Sequence, residues 1–209
     1  MMHLKGLEGS GAMLVKSDLL EALAPVRRGL AASDTDRVAI QAAATRLEEL
    51  NPTANPLEAT DLLEGDWRLL YTTSRELLNI DRLPLASLGQ IYQCIRLAEN
   101  RIYNLAEVEA LPPLSGLVAV AARLEPVSKC RVNVRFERGV VGLQPLLGYR
   151  NPAQFIATLQ THDKLSWLQG IDFAINTERQ SGWLEVTYLD RDLRIGRGNQ
   201  GNLFVLQKV

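Results

Sequence analysis

Gly65-Asp66-Trp67-Arg68-Leu69-Leu70-Tyr71-Thr72-Thr73 is the stretch on which the fold turns. Trp67, Leu69 and Tyr71 alternate with Arg68, Leu70 and Thr72, the period of two that sends successive side chains to opposite faces of a strand. Parity therefore puts Trp67, Leu69 and Tyr71 on one face, expected to be the interior. A glycine two residues ahead of the tryptophan lets the chain pass close beneath the floor of a barrel. The tryptophan is bulky enough to plug that end, and its indole N–H needs an acceptor. A late-strand arginine can stack on such a ring, and the candidates are Arg194 and Arg197. A barrel of about eight strands leaves room for one small ligand.

Moving outward, the chain after residue 60 reads as short strands with brief polar or Gly/Pro connections. Ile91 to Leu97 and Arg101 to Glu109 flank a Glu99-Asn100 turn, and Leu117 to Leu124 is almost continuously apolar. Val132, Val134 and Phe136 alternate with Arg131, Asn133 and Arg135. Further strands are expected over Gly139 to Leu143, Gly170 to Asn176, Trp183 to Leu189, Leu193 to Gly196 and Asn202 to Lys208, with a helix near Pro152 to Gln160. A long series of hairpin-length connections implies an antiparallel sheet, sandwich or barrel rather than a parallel α/β sheet. Upstream the period is helical. A first helix is expected from Ser17, shortened or kinked by Pro25 and stopped at Gly29. A second starts at the capping run Ser33-Asp34-Thr35-Asp36 and continues to about residue 50, where Asn51-Pro52 ends it. Residues 1–12 are Gly-rich and aperiodic and are read as a tag or floppy extension. Residues 13–56 are then a helical hairpin packed on a barrel of residues 57–209, together one structural domain.

Composition narrows the function. The 209 residues are 46% hydrophobic and 22% charged, with 23 Lys+Arg against 24 Asp+Glu, so a disordered chain is excluded and a nucleic-acid partner is not expected. Two cysteines, Cys94 and Cys130, make no disulfide framework. With His3 and His162 as the only histidines, no metal site and no metal cofactor are expected. No apolar run approaches the ~20 residues of a membrane-spanning helix. Gly196-Arg197-Gly198-Asn199-Gln200-Gly201 matches G-x-G-x-x-G in form, yet a strand follows it, so it reads as a hairpin turn and not a nucleotide loop. No G-x-S-x-G elbow exists, and His162 reads as a helix-end residue. Asp190 and Asp192, beside Arg191 and Arg194, read as edge ion pairs rather than an acid–base couple. Arg123, Lys129, Arg131, Arg135, Arg138 and Arg150 make the middle strands locally basic, a face that could meet anionic headgroups or an acidic partner.

Three motifs carry a resemblance to a known family: Leu47-Glu48-Glu49-Leu50-Asn51-Pro52-Thr53 with Pro56-Leu57, Leu63 to Thr73, and Trp183 to Gly198 closing with Gly201 to Leu206. Over about residues 14–209 the chain resembles the plastid lipid-associated proteins, or fibrillins, of plants and cyanobacteria. The resemblance implies a mainly β (α+β) fold, a lipocalin-like antiparallel β-barrel with an N-terminal helical hairpin. It implies association with lipid bodies or the cytoplasmic side of thylakoid membranes, and handling of carotenoids, quinones or acyl lipids in photoprotection or lipid metabolism. No transit segment is seen, which points to a cyanobacterial-type member. The family's C-terminal aspartate falls on Asp190 or Asp192. The expected ligand-lining interior comprises Trp67, Leu69, Tyr71, Val134, Phe136 and Phe173, and late in the chain Tyr188, Asp190, Asp192, Arg194, Arg197 and Phe204. The expected function is non-enzymatic binding of a lipophilic small molecule at a peripheral membrane or lipid-body surface. The alternatives are a coat protein with nothing in its interior and an accessory protein partner in prenyl-lipid metabolism.

Overall fold

The computed structural model describes residues 2–74, 87–111, 113–176 and 181–209. It opens with two helices, α1 (Met2–Leu23) and α2 (Asp34–Glu48). The expected start of the first helix at Ser17 is too late. Gly6, Gly9 and Gly11 lower helix propensity by about 1 kcal/mol each, but no proline interrupts the run. Pro25 ends α1 by opening a short 3-10 turn over Ala24–Val26. Arg27, Arg28 and Gly29, at φ of 45°, 61° and 107°, then turn the chain towards α2. α2 is capped as its sequence requires: Ser33 Oγ accepts from the Asp36 N–H, and the Asp36 carboxylate accepts from the Ser33 N–H. That hydrogen bonding holds the exposed Asp36 carboxyl below its ordinary pKa.

After a single helical turn, α3 (Thr60–Leu63), the chain enters the sheet. Its strands are β1 (Gly65–Thr72), β2 (Ser87–Arg96), β3 (Arg101–Glu109), β4 (Gly116–Pro126) and β5 (Arg131–Leu143). Two helices, α4 (Gln144–Leu147) and α5 (Pro152–Thr161), come next. β6 (Ile171–Ala174), β7 (Ser181–Leu189), β8 (Leu193–Gly198) and β9 (Leu203–Lys208) complete the chain.

Among the described residues, every pairing between these strands is antiparallel. The order is β4-β3-β2-β1-β9-β8-β7-β5-β6, and β5 pairs back to β4, so the sheet closes into a ring. Closure removes the free edges that an open sheet would leave. The two strands expected over Val132–Glu137 and Gly139–Leu143 are one: β5 runs through Arg138 because a register shift against Ala121/Ala122 of β4 absorbs the extra residue. Its first half pairs with β7 and its second half with β6, so β6 lies beside the ring rather than in it.

Among the described residues, apolar side chains form three clusters that follow from this closure. Trp67, Leu69, Ile91, Ile95, Val134 and Leu206 belong to the filling of the ring. Leu19, Leu23, Ile40, Ala44 and Leu47 lay α1 and α2 against the outer face of β8 and β9, at Leu193, Ile195, Leu203 and Val205. Phe155, Ile156 and Leu159 of α5 cover the outer face of β3 and β4 at Tyr103, Leu105, Leu117 and Ala119. The helical hairpin therefore packs on the outside of the ring. The fold is a lipocalin-like antiparallel β structure with N-terminal helices.

Candidate functional site

The floor of the ring is built around Trp67, which is fully buried. Its indole N–H donates to the Leu63 carbonyl at 3.0 Å, joining α3 to the first strand. Gly65 sits at φ 126°, and a Cβ there would lie 3.1 Å from Lys208 Cε, so glycine is required where the chain slips under the end of β9. Arg194 answers the search for a stacking partner: its Cζ lies 5.1 Å from the Trp67 ring centroid. Lys208 Nζ is 5.2 Å from the same ring and donates to the Leu62 carbonyl at 2.7 Å. Arg197 faces outward instead. Within β8, Leu193, Ile195 and Arg197 share the outer face, and no bulge at Gly196 exchanges the two arginines.

Arg194 is 1% exposed and makes one side-chain hydrogen bond, from Nη2 to Gln93 Oε1 at 2.7 Å. Nε and Nη1 have no acceptor among the described residues. Burial pushes its pKa down to about 9, because a charge without a counterion is costly in a medium of low polarity. Gln93 was not singled out from the sequence. The signal existed: it shares strand parity with Ile91 and Ile95 and is the polar member of an inward face.

Beside Arg194 is a cavity of about 230 Å³. Leu57, Thr60 and Leu63 cover it from the floor segment, and Ile95, Ile102, Leu124, Val132 and Val186 wall it from the ring. Drug-sized sites run to roughly 300–1,000 Å³. This cavity falls short of that range.

Placement of the expected lining residues divides sharply. Trp67, Leu69, Val134, Phe136, Arg194 and Phe204 lie inside or pack against the interior cluster. Tyr71 does not. A register shift between Leu69 and Tyr71 against β9 inserts a residue, so Leu69 pairs with inward Leu206 while Tyr71 pairs with outward Val205. Tyr71 joins the helix-facing cluster. The same device acts on β7, where a shift between Val186 and Tyr188 turns Tyr188 outward opposite Ile195. Asp190 is at the outer rim, accepting from Tyr188 Oη at 2.7 Å and from Lys16 Nζ at 2.7 Å. Burial alone would raise its pKa, but these contacts and the Asp192 and Leu193 amides outweigh it and hold the carboxyl low. Asp192 is exposed, 3.8 Å from Lys16. Arg197 forks onto Glu48 of α2 at 2.7 Å and 2.9 Å. Phe173, 46% exposed on β6, lies over Gly139 beyond the ring.

The basic strands are balanced by carboxylates. Arg123 and Arg101 bond to Glu137, Arg135 to Glu125, Arg131 to Glu185 and Arg138 to Asp172, and Lys129 faces Glu58. Five of the six residues of the expected positive face are thus in ion pairs, and Arg150 has none among the described residues. Exposed apolar surface gathers elsewhere, where β5 leaves the ring with β6. Ile171 is 69% exposed, the neighbouring turn carries Trp167 at 84% and Leu168 at 62%, and Val141, paired with Ile171, is also exposed. Close approach fixes this edge: a Cβ on Gly170 would meet the Val141 carbonyl at 2.8 Å. Between Ile171 and Phe173, Asp172 turns the other way and receives two hydrogen bonds from Arg138.

The residues from Gly196 to Gly201 are the end of β8 and the turn into β9, Asn199–Gly201, where Gln200 and Gly201 stand at positive φ, as a hairpin requires. His162 caps α5, its Nδ1 3.1 Å from the Thr158 carbonyl.

A closed antiparallel ring plugged by a tryptophan–arginine stack and flanked by outer helices defines a lipocalin-like β protein. The family model PAP_fibrillin matches residues 13–207, and the chain belongs to that family. It is 34% identical to a chromoplast-specific carotenoid-associated protein of Cucumis sativus, over 98% of this chain and 70% of that one. It is 33% identical to a chloroplastic light-induced protein of Solanum tuberosum, over 96% and 69%. Plastoglobulin-1 of Pisum sativum is 32% identical, over 93% of this chain and 60% of its own length. No solved structure matches the chain.

Proposed function

We propose that this protein sits peripherally on the surface of lipid bodies or thylakoid membranes, where it holds lipophilic molecules such as carotenoids, quinones or acyl lipids without converting them chemically. The observation that carries this reading is the apolar edge made by Val141, Trp167, Leu168, Ile171 and Phe173. Exposed apolar side chains gathered on one strand pair and the turn that leads into it mark a contact surface, and an exposed tryptophan among them suits the boundary between headgroups and acyl chains. Kinship with proteins named for carotenoid association and plastoglobules supports the lipid side of the reading. No helix among the described residues is long and apolar enough to cross a membrane. The cavity beside Arg194, at about 230 Å³, is smaller than a long polyene or prenyl chain needs, so the apolar edge is the surface offered for such a chain among the described residues.

The test is flotation of the purified chain with triacylglycerol droplets coated in galactolipid and phosphatidylglycerol. Apolar contact predicts co-flotation that persists from low salt to ~0.5 M, where exposed charges are screened beyond a few ångströms. Release by salt would transfer the contact to charged groups. Failure to float at any salt would overturn the reading.

A further inference from the structure

The apolar surface does not end at β6. Leu111 and Leu114, 79% and 59% exposed, stand in the turn between β3 and β4, and Leu146 is exposed on α4. Hydrogen bonds draw these segments together. The Leu114 N–H donates to the Leu111 carbonyl at 2.8 Å and closes the turn. Gln144, the first residue of α4, donates from its backbone N–H to the Ser115 carbonyl at 2.8 Å and from Nε2 to the Gly116 carbonyl at 2.9 Å. The next contact is apolar. Leu147 is buried, and a Cβ on Gly170 would lie 3.3 Å from its Cδ2, which seats α4 on the chain that leads from Trp167 and Leu168 into β6. Eight of the fourteen large apolar side chains exposed among the described residues therefore gather at one end of the ring.

That end is far from the Trp67 floor. β3 starts at the floor, where Ile102 pairs with Ile95 and Ile95 with Gly65. β4 returns over 11 residues from Gly116 to Pro126, so the Leu111–Leu114 turn stands roughly 33 Å along β4 from the floor end. Val127, also exposed, marks the floor end, since the turn after β4 is tied to the floor segment by the Leu57 N–H donating to the Lys129 carbonyl at 3.1 Å.

Shape and charge select what covers the apolar end. Its side chains stand on separate turns and on a single-turn helix rather than along a groove. Separate apolar tips immerse independently in a fluid, whereas a folded partner must match them with a close-packed surface. Two cations flank the tips. Arg150 follows α4 and Lys164 precedes Trp167, held beside β6 by the Leu165 N–H donating to Asp172 at 2.7 Å. Both are exposed, and neither has a carboxylate partner among the described residues, unlike the arginines of β4 and β5. Cations ringing immersed apolar side chains are complementary to anionic headgroups above acyl chains.

We propose that this end of the ring enters an anionic lipid monolayer tip-first, with the β3–β4 turn, α4 and the β5–β6 edge immersed, Arg150 and Lys164 at the level of the headgroups and the Trp67 floor turned to water. The proposal rests on the lipid-surface reading and specifies its orientation and its lipid charge. Salt then acts on selectivity: it screens Arg150 and Lys164 and leaves the immersed tips in place.

The experiment is flotation of the full chain with triacylglycerol droplets coated in galactolipid alone or in galactolipid with phosphatidylglycerol. Leu111→Asp/Leu114→Asp should lose at least about tenfold in droplet binding, since two immersed leucines become charges, while Val127→Asp at the floor end should bind as the wild type does. Both variants change exposed positions and should keep the far-UV circular dichroism of the wild type. If the turn variant does not fold, Leu146→Asp takes its place, with a loss of at least about threefold. At low salt, phosphatidylglycerol should raise wild-type binding at least about threefold, and Arg150→Gln/Lys164→Gln should remove that increment while retaining binding to the galactolipid coat. Wild-type flotation with an unaffected turn variant, an equal loss in Val127→Asp, or no increment from phosphatidylglycerol would overturn the proposal and leave the lipid-surface reading standing. A lipid-free dimer that Leu111→Asp/Leu114→Asp dissociates would assign this end to a second copy of the chain and overturn it too. Wild-type protein that floats with neither coat would overturn both.

Discussion

At the scale of single residues, Trp67 and Arg194 share one stack, with the ring centroid and guanidinium carbon 5.1 Å apart. Trp67 fills the floor, so Trp67→Ala should cost about 3–5 kcal/mol, as for other large core aromatics. Arg194→Met removes a buried cation that has little to hold it, and should cost much less. Because the two touch, the double variant should depart from additivity by at least ~0.5 kcal/mol. Urea unfolding of the four proteins measures this, and strict additivity would mean that the stack carries no energy of its own. The plug was legible in the sequence as Gly65-x-Trp67. Which arginine meets it was not, because Arg194 and Arg197 differ by strand parity and a single bulge would swap them. The bulges in fact fall at Leu70 and Thr187, where no glycine or proline advertises them, and they turn Tyr71 and Tyr188 out of the interior.

Between elements, the motif at the end of α2 and the motif in β7–β8 turn out to be two halves of one fastening. Glu48 receives Arg197 and the Thr187 hydroxyl, while Asn51 Oδ1 and Thr53 Oγ1 tie the turn after α2 to the backbone of Leu189. Glu48→Ala leaves a largely buried Arg197 without its carboxylate, and should destabilise by ~2 kcal/mol, the scale of a hydrogen bond to a charged group, readable in thermal unfolding. Unchanged stability would show the hairpin to be held by apolar packing alone. The rim has a pH signature. The Asp190 and Asp172 carboxyls are held below their ordinary pKa by hydrogen bonds that outweigh burial, from Lys16, Tyr188 and backbone amides in one case and from Arg138 and the Leu165 amide in the other. A depressed carboxyl stabilises the fold above its unfolded pKa of about 4, and that stability is lost as pH falls through the folded-state value. Stability should therefore drop between pH ~4 and ~2, and Asp190→Asn should flatten part of that drop. Equal slopes for wild type and variant would remove Asp190 from the account. Helices and strands themselves were largely readable, because capping and alternation are local; the joining of two expected strands into β5 was not, since the register shift that permits it belongs to β4 as much as to β5.

For the whole molecule, charge and apolar surface are distributed differently from what the linear sequence suggests. Arginines that cluster along β4 and β5 meet carboxylates brought from other strands, so the basic run does not become a basic face. Ile171 reads as an ordinary strand residue and Phe173 as part of a ligand-lining interior, yet β6 lies outside the ring and pairs with β5 alone among the described residues, which leaves their face uncovered. Only closure of the ring decides this, and closure depends on contacts between distant strands. Charging the edge is the most direct measurement of the central claim. Ile171→Asp/Phe173→Asp and, as a control on another exposed apolar position, Val38→Asp of α2 should be compared with the wild type in droplet flotation. At least a tenfold loss of droplet binding is expected for the edge variant and none for Val38→Asp, with both folded; equal binding by all three proteins would contradict a lipid-binding role for the edge.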